Sequence, residues 1–167
     1  MKPIVAILMG SDSDLEVMNE TAGMLENFDI PYEMKVLSAH RSPDDVVRFV
    51  KQAKSRGFRV FICGAGGAAH LAGVVAANTT LPVIGIPINS SALGGLDSLL
   101  ATVQMPAGTP VATVAIGKGG ARNAALLACQ MLALQNPKLE KKLEGFKRNL
   151  AASIRKKNVQ FQQKRRS

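Results

Sequence analysis

Four short segments of the chain combine residues that can move a proton or bind an anion. They are Ser11-Asp12-Ser13-Asp14, Ser38-Ala39-His40-Arg41, Gly64 to His70 and Asn89-Ser90-Ser91. His40 and His70 are the only two histidines in 167 residues, and histidine is the side chain that changes charge near neutral pH. Arg41 adds a permanent positive charge that suits a phosphate or a carboxylate. The segments therefore favour acid–base chemistry on a small phosphorylated ligand.

Two of these segments also have a simpler explanation in helix capping. Ser11 and Asp14 have the spacing of a capping box. Ser42 and Pro43 read as the start of a helix, which would leave His40 as a solvated loop histidine. If Asp14 does bind a ligand, its carboxylate would repel a phosphate and is better suited to accept hydrogen bonds from sugar hydroxyls. The residues alone leave the capping and binding interpretations open.

The glycine-rich segment does not fit a known cofactor loop. Gly64 to His70 begins like G-x-G-x-x-G, but it has histidine at the sixth place and lacks an acidic residue about 20 positions on. Its glycines would instead let a flat ligand approach the backbone closely. Two lone histidines without a carboxylate cluster make a poor metal site. We therefore expect no metal and no cofactor.

The elements that must position these segments alternate regularly along the chain. Strands are predicted at 4–9, 32–37, 59–63, 83–86 and 111–116, with helices at 15–28, 42–57, from 71 to 77, from about 91 to 105, 119–134 and from 137 onward. This alternation predicts a parallel sheet with helices on both faces, and five strands favour the flavodoxin-like order. Every loop that follows a strand then lies at one edge of the sheet, where ligands bind. The four segments should meet at that edge.

Length and composition indicate an α/β protein of ordinary size. Apolar residues make up 47% of the chain, and there are 15 glycines and two cysteines, Cys63 and Cys129, inside apolar stretches. Such cysteines are typical of buried thiols in a reducing compartment. The sequence shows no secretory leader and no apolar run of the roughly 18 residues that a membrane span needs. We therefore expect a cytoplasmic location and no membrane partner.

The net charge of +9 comes entirely from the C-terminal segment. Residues 138–167 contain eleven basic and two acidic residues, whereas residues 1–137 contain ten of each. We therefore predict a catalytic domain over 1–137 and a basic helical extension and tail over 138–167, without a specific nucleic-acid partner. The alternative is a non-enzymatic nucleotide-binding module whose basic tail contacts RNA or a membrane.

Several motifs in order resemble the PurE family of de novo purine synthesis. They are Met9-Gly10-Ser11-Asp12-Ser13-Asp14, Ser38-Ala39-His40-Arg41-Ser42-Pro43, Gly64 to Leu71, and Asp97-Ser98-Leu99-Leu100 through Gln104-Met105-Pro106-Ala107-Gly108. The resemblance implies a three-layer α/β/α fold, and an N5-carboxyaminoimidazole ribonucleotide mutase that moves a carboxylate from N5 to C4 without cofactor or metal. It also implies a homo-octamer with sites between subunits. The nearly uncharged helices at 68–78 and 119–134 independently favour a homo-oligomer.

The resemblance also implies a role for individual residues and a partner. His40 matches the general acid–base histidine, and Ser11, Asp14 and Arg41 match nucleotide-binding residues. The groups that match the imidazole and carboxylate end are Ser38, Gly66, Gly67 and His70. A hand-off of substrate from an ATP-dependent N5-carboxylating synthetase would precede the reaction.

One rival within the resemblance stays open. It is the related aminoimidazole ribonucleotide carboxylase, which fixes free carbon dioxide. The segment Gln104-Met105-Pro106 and the stand-alone chain look more like the mutase.

Overall fold

A single parallel sheet forms the centre of the protein. The computed structural model describes residues 2–90 and 92–165, and over these residues the sheet has five strands. They are β1 (Val5–Met9), β2 (Tyr32–Val36), β3 (Val60–Gly66), β4 (Val83–Ile88) and β5 (Ala112–Thr113). Their order is β2-β1-β3-β4-β5, and all neighbouring strands run parallel. The predicted flavodoxin-like order is confirmed.

Helices connect the strands as the sequence pattern predicts. They are α1 (Leu15–Asn27), which follows a short 3-10 turn at Asp12–Asp14, then α2 (Pro43–Arg56), α3 (Leu71–Ala77), α4 (Leu96–Val103), α5 (Gly117–Ala133) and α6 (Pro137–Lys164). Helix α2 shows why the local sequence dictates these limits. Proline occupies its first turn, and the left-handed Gly57 (φ 98°) ends it.

The sheet is covered by helices on both faces. Every residue of β1 is buried, with Ala6 and Leu8 packed in the cluster that includes residues of α2 and α3. The opposite face meets α1, because a Cβ on Gly64 would lie 2.2 Å from Sδ of Met18. On that face the hydroxyl of Thr21 in α1 donates to the carbonyl of Ala121 in α5 at 2.9 Å. The predicted three-layer α/β/α architecture is therefore confirmed.

Two predicted elements are shorter than the sequence pattern indicated. The helix predicted from about residue 91 to 105 is α4, which begins only at Leu96; Ser91 itself lies outside the described residues. Gly94 and Gly95 have φ values of 64° and 88°, so no right-handed helix passes through them. The strand predicted at 111–116 pairs with β4 only over Ala112–Thr113.

The chain divides into two compact units, the first ending at Ala128 and the second starting at Cys129. Within the second unit, Oδ1 of Asn136 caps α6 by accepting from the amide of Leu139 at 3.2 Å. Leu139 and Leu143 are buried, whereas residues 147–165 are all exposed. The predicted domain boundary at residue 137 stays a prediction. No helix of the described chain is long and apolar enough to cross a bilayer.

Candidate active site

A pocket of about 380 Å³ opens at the carboxyl edge of the sheet, where β1 to β4 end. It is lined by Gly10, Ser11, Ser13, Asp14, Ser38, Ala39, His40, Arg41, Ala65, Gly66, Ala68, His70, Leu71 and Ser90. The ends of β1 and β3 meet beneath it, because the amide of Gly10 donates to the carbonyl of Gly64 at 3.3 Å. Strand order reverses between these two strands, which is where ligands bind in open α/β sheets. The volume suits a small ligand.

The loop after β1 forms the capping box that its spacing predicts. The Ser11 amide donates to Oδ2 of Asp14 at 3.1 Å, and the Ser13 amide donates to Oγ of Ser11 at 3.4 Å. The Asp14 amide in turn donates to the carbonyl of Ser11 at 3.2 Å. These three amides already have acceptors inside the loop. The loop therefore presents side-chain groups to a ligand rather than these amides.

Asp14 combines the capping role with an unusual electrostatic position. Its side chain lines the pocket although the residue is only 5% exposed. Burial raises the pKa of its carboxyl group, and the hydrogen bond from Ser11 and the positive charge of Arg41 oppose that rise in part. Asp14 is thus a poorly solvated carboxylate that would gain from an additional hydrogen-bond donor.

The loop after β2 is held closed by serine side chains. The hydroxyl of Ser42 donates to the carbonyl of Ser38 at 3.3 Å and accepts from the amide of Ser38 at 3.2 Å. Ser42 occupies the N-cap position of α2, as predicted, but its hydroxyl makes no hydrogen bond to the helix amides. The capping explanation of this serine is therefore wrong in its details, because the hydroxyl stabilises the loop that carries His40.

Arg41 joins the first two loops. Its Nη2 donates to the carbonyl of Gly10 at 2.8 Å, and its Nε donates to Oγ of Ser38 at 3.4 Å. The Arg41 amide also donates to that same Oγ, at 3.2 Å. These bonds fix the guanidinium at the rim of the pocket, next to the loop that carries Ser11. An anion bound there would meet a positive charge that is already in place.

The two histidines contact each other directly. Nε2 of His40 lies 2.7 Å from Nδ1 of His70. The ring centroids are 4.9 Å apart, and the ring planes are almost perpendicular at 86°. Sequence reasoning placed both residues at the same sheet edge but did not predict this bond, since it depends on side-chain torsions that no pattern encodes.

The structure brings seven of the eight predicted site residues together. The residues that line the pocket as predicted are Ser11, Asp14, Ser38, His40, Arg41, Gly66 and His70. Gly67, with φ of 58°, is not among the lining residues of the described chain. It serves the turn after β3.

Gly10, Ser13 and Ser90 also line the pocket. Ser13 and Ser90 belong to the segments predicted to meet at this edge, but the sequence analysis assigned no individual binding role to any of the three. Gly66 also has a packing role. A Cβ there would lie 1.8 Å from Oγ of Ser90 and 3.2 Å from the carbonyl of Ile88. Gly66 therefore lets the end of β4 and the residues after it approach the end of β3, and the predicted close approach of a flat ligand to the glycines stays a prediction.

The sheet order and the loop-built pocket at its carboxyl edge define a flavodoxin-like α/β protein with a pocket at the strand switch point. A family model described as AIR carboxylase matches residues 4–153. The chain therefore belongs to the AIR carboxylase family, which is the PurE family that its motifs resemble.

The named relatives include both mutases and a carboxylase. The N5-carboxyaminoimidazole ribonucleotide mutase of Pyrococcus horikoshii is 53% identical, over 93% of this chain and 87% of that protein. The phosphoribosylaminoimidazole carboxylase of Schizosaccharomyces pombe is 54% identical over 89% of this chain, which corresponds to 26% of that protein. The crystal structure of Treponema denticola PurE2-S38D has a TM-score of 0.87 at 28% identity and covers 96% of this chain and 98% of that one.

Proposed function

We propose that this chain is an isomerase that converts N5-carboxyaminoimidazole ribonucleotide to 4-carboxy-5-aminoimidazole ribonucleotide, as its mutase relatives are named to act. The observation that carries the proposal is a titratable histidine, His40, inside a pocket that also holds a fixed guanidinium, Arg41. The likeness to the mutases extends over most of their own length, which supports the whole activity rather than a shared fold alone.

The lining residues divide between the two parts of the substrate. Arg41 supplies positive charge for the phosphate, and Ser11 lines the pocket next to Gly10, to whose carbonyl Arg41 donates. The poorly solvated carboxylate of Asp14, which already accepts from the Ser11 amide, accepts further hydrogen bonds from the ribose hydroxyls. Ser38 and His70 face the imidazole and its carboxylate, and His40, in contact with His70, reaches the atoms that react.

The reaction needs one group that both gives and takes a proton. Protonated His40 gives its proton to N5 as the bond from N5 to the carboxylate breaks and carbon dioxide leaves. The C4 carbon then attacks carbon dioxide, and neutral His40 removes the proton from C4. The bond broken, the bond formed and the proton all balance, so His40 ends as it began. A histidine suits this double role because its pKa lies near working pH.

The intermediate pair of amine and carbon dioxide must stay together between the two steps. Carbon dioxide carries no charge, so hydrogen bonds alone hold it weakly. The pocket wall contributes apolar groups for this purpose at Ala39, Ala65, Ala68 and Leu71. Confinement replaces a second encounter in solution and supplies a large effective concentration of carbon dioxide at C4.

The proposal includes a homo-octamer, and helix α4 supports association between copies. Leu96, Leu100 and Val103 are spaced four and three residues apart and so share one face of that helix. They are 52%, 47% and 47% exposed in the single chain. A row of exposed large apolar side chains on one helix face is typical of a surface that a partner covers.

The proposal also places the protein after an ATP-dependent synthetase that carboxylates N5. An N-carboxylate of this type loses carbon dioxide readily, so a direct hand-off between the two enzymes would protect it. The expected cytoplasmic location goes with this step and stays a prediction.

Turnover of purified protein with N5-carboxyaminoimidazole ribonucleotide, without ATP and without bicarbonate, tests the function. We expect conversion to the C4-carboxylated product by the wild type. The matched variant is His40→Asn, which keeps similar bulk and hydrogen bonding but does not titrate. It should lose at least about 10²-fold in turnover, as expected for loss of a general acid–base group. Nucleotide binding, followed by calorimetry, should persist.

Two outcomes would overturn the proposal. Activity that requires added bicarbonate and ignores the N-carboxylated substrate would assign the carboxylase reaction instead. Absence of any turnover, with nucleotide binding that is lost on truncation at Pro137, would assign a binding module. Near-normal turnover by His40→Asn would retain the function but remove His40 from its role.

A further inference from the structure

The contact between His40 and His70 constrains where protons can sit in the free protein. Nε2 of His40 and Nδ1 of His70 are 2.7 Å apart, so one proton must lie between them. With two protons there, two N–H groups would point at each other, and with none, two lone pairs would repel. The bond therefore exists only when the pair is neutral or carries one added proton.

Tautomer preference decides which ring is the donor. If both rings are neutral, the bond requires either that both carry hydrogen on Nε2 or that both carry it on Nδ1. A free neutral histidine favours hydrogen on Nε2. The first arrangement satisfies both rings at once, and in it Nε2–H of His40 donates to Nδ1 of His70.

We propose that His70 is a positioning residue, which keeps the transferable proton on Nε2 of His40 and aims that nitrogen into the pocket. This inference rests on the proposed function, because it assumes that His40 carries the proton of the reaction. Substrate then takes the place of His70 as the partner of Nε2. His40 then takes up its second proton on Nδ1, and the imidazolium gives the Nε2 proton to N5. The neutral ring that remains keeps hydrogen on Nδ1 and has a free Nε2 to accept the proton from C4.

The charged side chains that line the pocket beside this pair in the described chain are Arg41 and Asp14. The guanidinium of Arg41 is fixed through Ser38 and Gly10, so its positive charge stays near the pair. Asp14 is the single carboxylate among these lining residues, and it also lies in the Arg41 field.

Two substitutions of His70 distinguish a role in positioning His40 from a role in packing alone. In His70→Asn, Oδ1 stands at the same number of bonds from Cα as Nδ1 of histidine, so an acceptor for Nε2–H of His40 remains. In His70→Ala the acceptor is gone. We expect His70→Ala to lower kcat by about tenfold, in line with loss of one hydrogen bond, with KM changed less. His70→Asn should recover most of that loss.

Nitrogen NMR of the free, full-length protein gives the deciding readout. The chain has two histidines, so protein labelled with 15N-histidine shows four ring nitrogens, and the two His70 variants assign them. At neutral pH we expect Nε2 of His40 to be protonated and Nδ1 unprotonated in the wild type and in His70→Asn. In His70→Ala the preference for that tautomer should weaken, and the Nε2 proton should exchange faster with water.

The result that overturns the inference is an unprotonated Nε2 of His40 in the wild type, or equal NMR and kcat for His70→Ala and His70→Asn. This outcome is distinct from failure of the proposed function. The NMR measurement uses no substrate, whereas the function is decided by wild-type turnover of the N-carboxylated nucleotide.

Discussion

Arg41 is the residue whose predicted role can be separated most cleanly from folding. Its guanidinium is bound to the Gly10 carbonyl at the pocket rim, and Arg41→Ala removes the positive charge from the anion site. We expect the affinity for the nucleotide to fall by roughly 1.5–3 kcal/mol, the value of a hydrogen bond to a charged group. The affinity for the matching nucleoside, which lacks the phosphate, should change much less.

Arg48 of α2 provides the matched control for that measurement. It is an exposed arginine that pairs with Asp45 and does not line the pocket. Arg48→Ala should leave nucleotide affinity within error. Equal loss of nucleotide and nucleoside affinity in Arg41→Ala would show that the guanidinium shapes the loops and does not bind the phosphate.

The ionised side chain of Asp14 should lower the free energy of unfolding at neutral pH, because it is buried at the pocket. Burial raises the pKa of its carboxyl group, so ionisation is less favourable in the folded than in the unfolded chain. That cost is present above the folded pKa and disappears as the pH falls below the ordinary value for aspartate, about 3.9. Asp14→Asn keeps an acceptor oxygen for the Ser11 amide but removes the charge.

We therefore expect Asp14→Asn to be more stable than the wild type at about pH 7, with the gain shrinking toward about pH 4. Denaturant titrations at both pH values measure the difference in free energy of unfolding. The exposed neighbour Asp12, changed to Asn, should give a smaller difference. A variant at position 14 that is less stable at neutral pH contradicts the argument.

The sequence predicted which residues lie at the same edge of the sheet better than it predicted the contacts between their side chains. Ser11, His40 and His70 could be placed at one edge because parallel topology brings every strand end there. The contact between the histidine rings depends on torsions, and the approach of Ser90 to Gly66 depends on the path of the loop after β4. Neither leaves a periodic signal.

At the scale of elements, the central strands could be predicted because they are buried on both faces and read as continuous apolar runs. The late start of α4 could not be predicted, because the sequence does not show that Gly94 and Gly95 adopt left-handed backbone conformations. The length of β5 could not be predicted either, because the apolar residues on both sides of Ala112–Thr113 have the composition of a strand but do not pair with β4.

Gly85 in β4 tests how tightly these layers are packed. A Cβ there would lie 2.3 Å from Cγ2 of Thr102 in α4 and 2.9 Å from Cγ1 of Val111. Both atoms belong to short branched side chains that have little room to move. Gly85→Ala should destabilise the protein by about 1–3 kcal/mol through overpacking, as measured by denaturant titration.

Gly23 in α1 is the matched control for that substitution. No atom lies within 4 Å of a Cβ built there, and the residue is inside a helix. Gly23→Ala should therefore raise the free energy of unfolding by roughly 0.5–1 kcal/mol, because alanine loses less backbone entropy than glycine. Equal effects at the two glycines would mean that the space around Gly85 relaxes freely.

At the scale of the whole molecule, the basic end of α6 and its buried beginning should behave differently. The described residues that truncation after Asn158 removes, 159–165, are all exposed, and we expect oligomer size and turnover to be unchanged. Truncation after Pro137 also removes Leu139 and Leu143, which are 3% and 9% exposed. That shorter chain should be less stable, because a buried leucine contributes about 1.5–3 kcal/mol, and we expect its assembly to be lost as a consequence.

Light scattering on both truncations and on the full chain measures the assembly. A monomeric full-length protein would refute the homo-oligomer. An unchanged octamer in the chain that ends at Pro137 would refute the packing role of α6.

The two thiols of the folded chain are buried, so we expect the native protein not to react with alkylating reagents. Cys63 and Cys129 are both free and buried, and burial raises the pKa of each, that of Cys129 to about 12. The reactive thiolate is therefore scarce as well as shielded. A cysteine placed at exposed Ser153 would be the single thiol that a maleimide reaches in the native protein. Cys63 and Cys129 would react only when the chain unfolds, so the rate at which they are labelled measures the rate of unfolding.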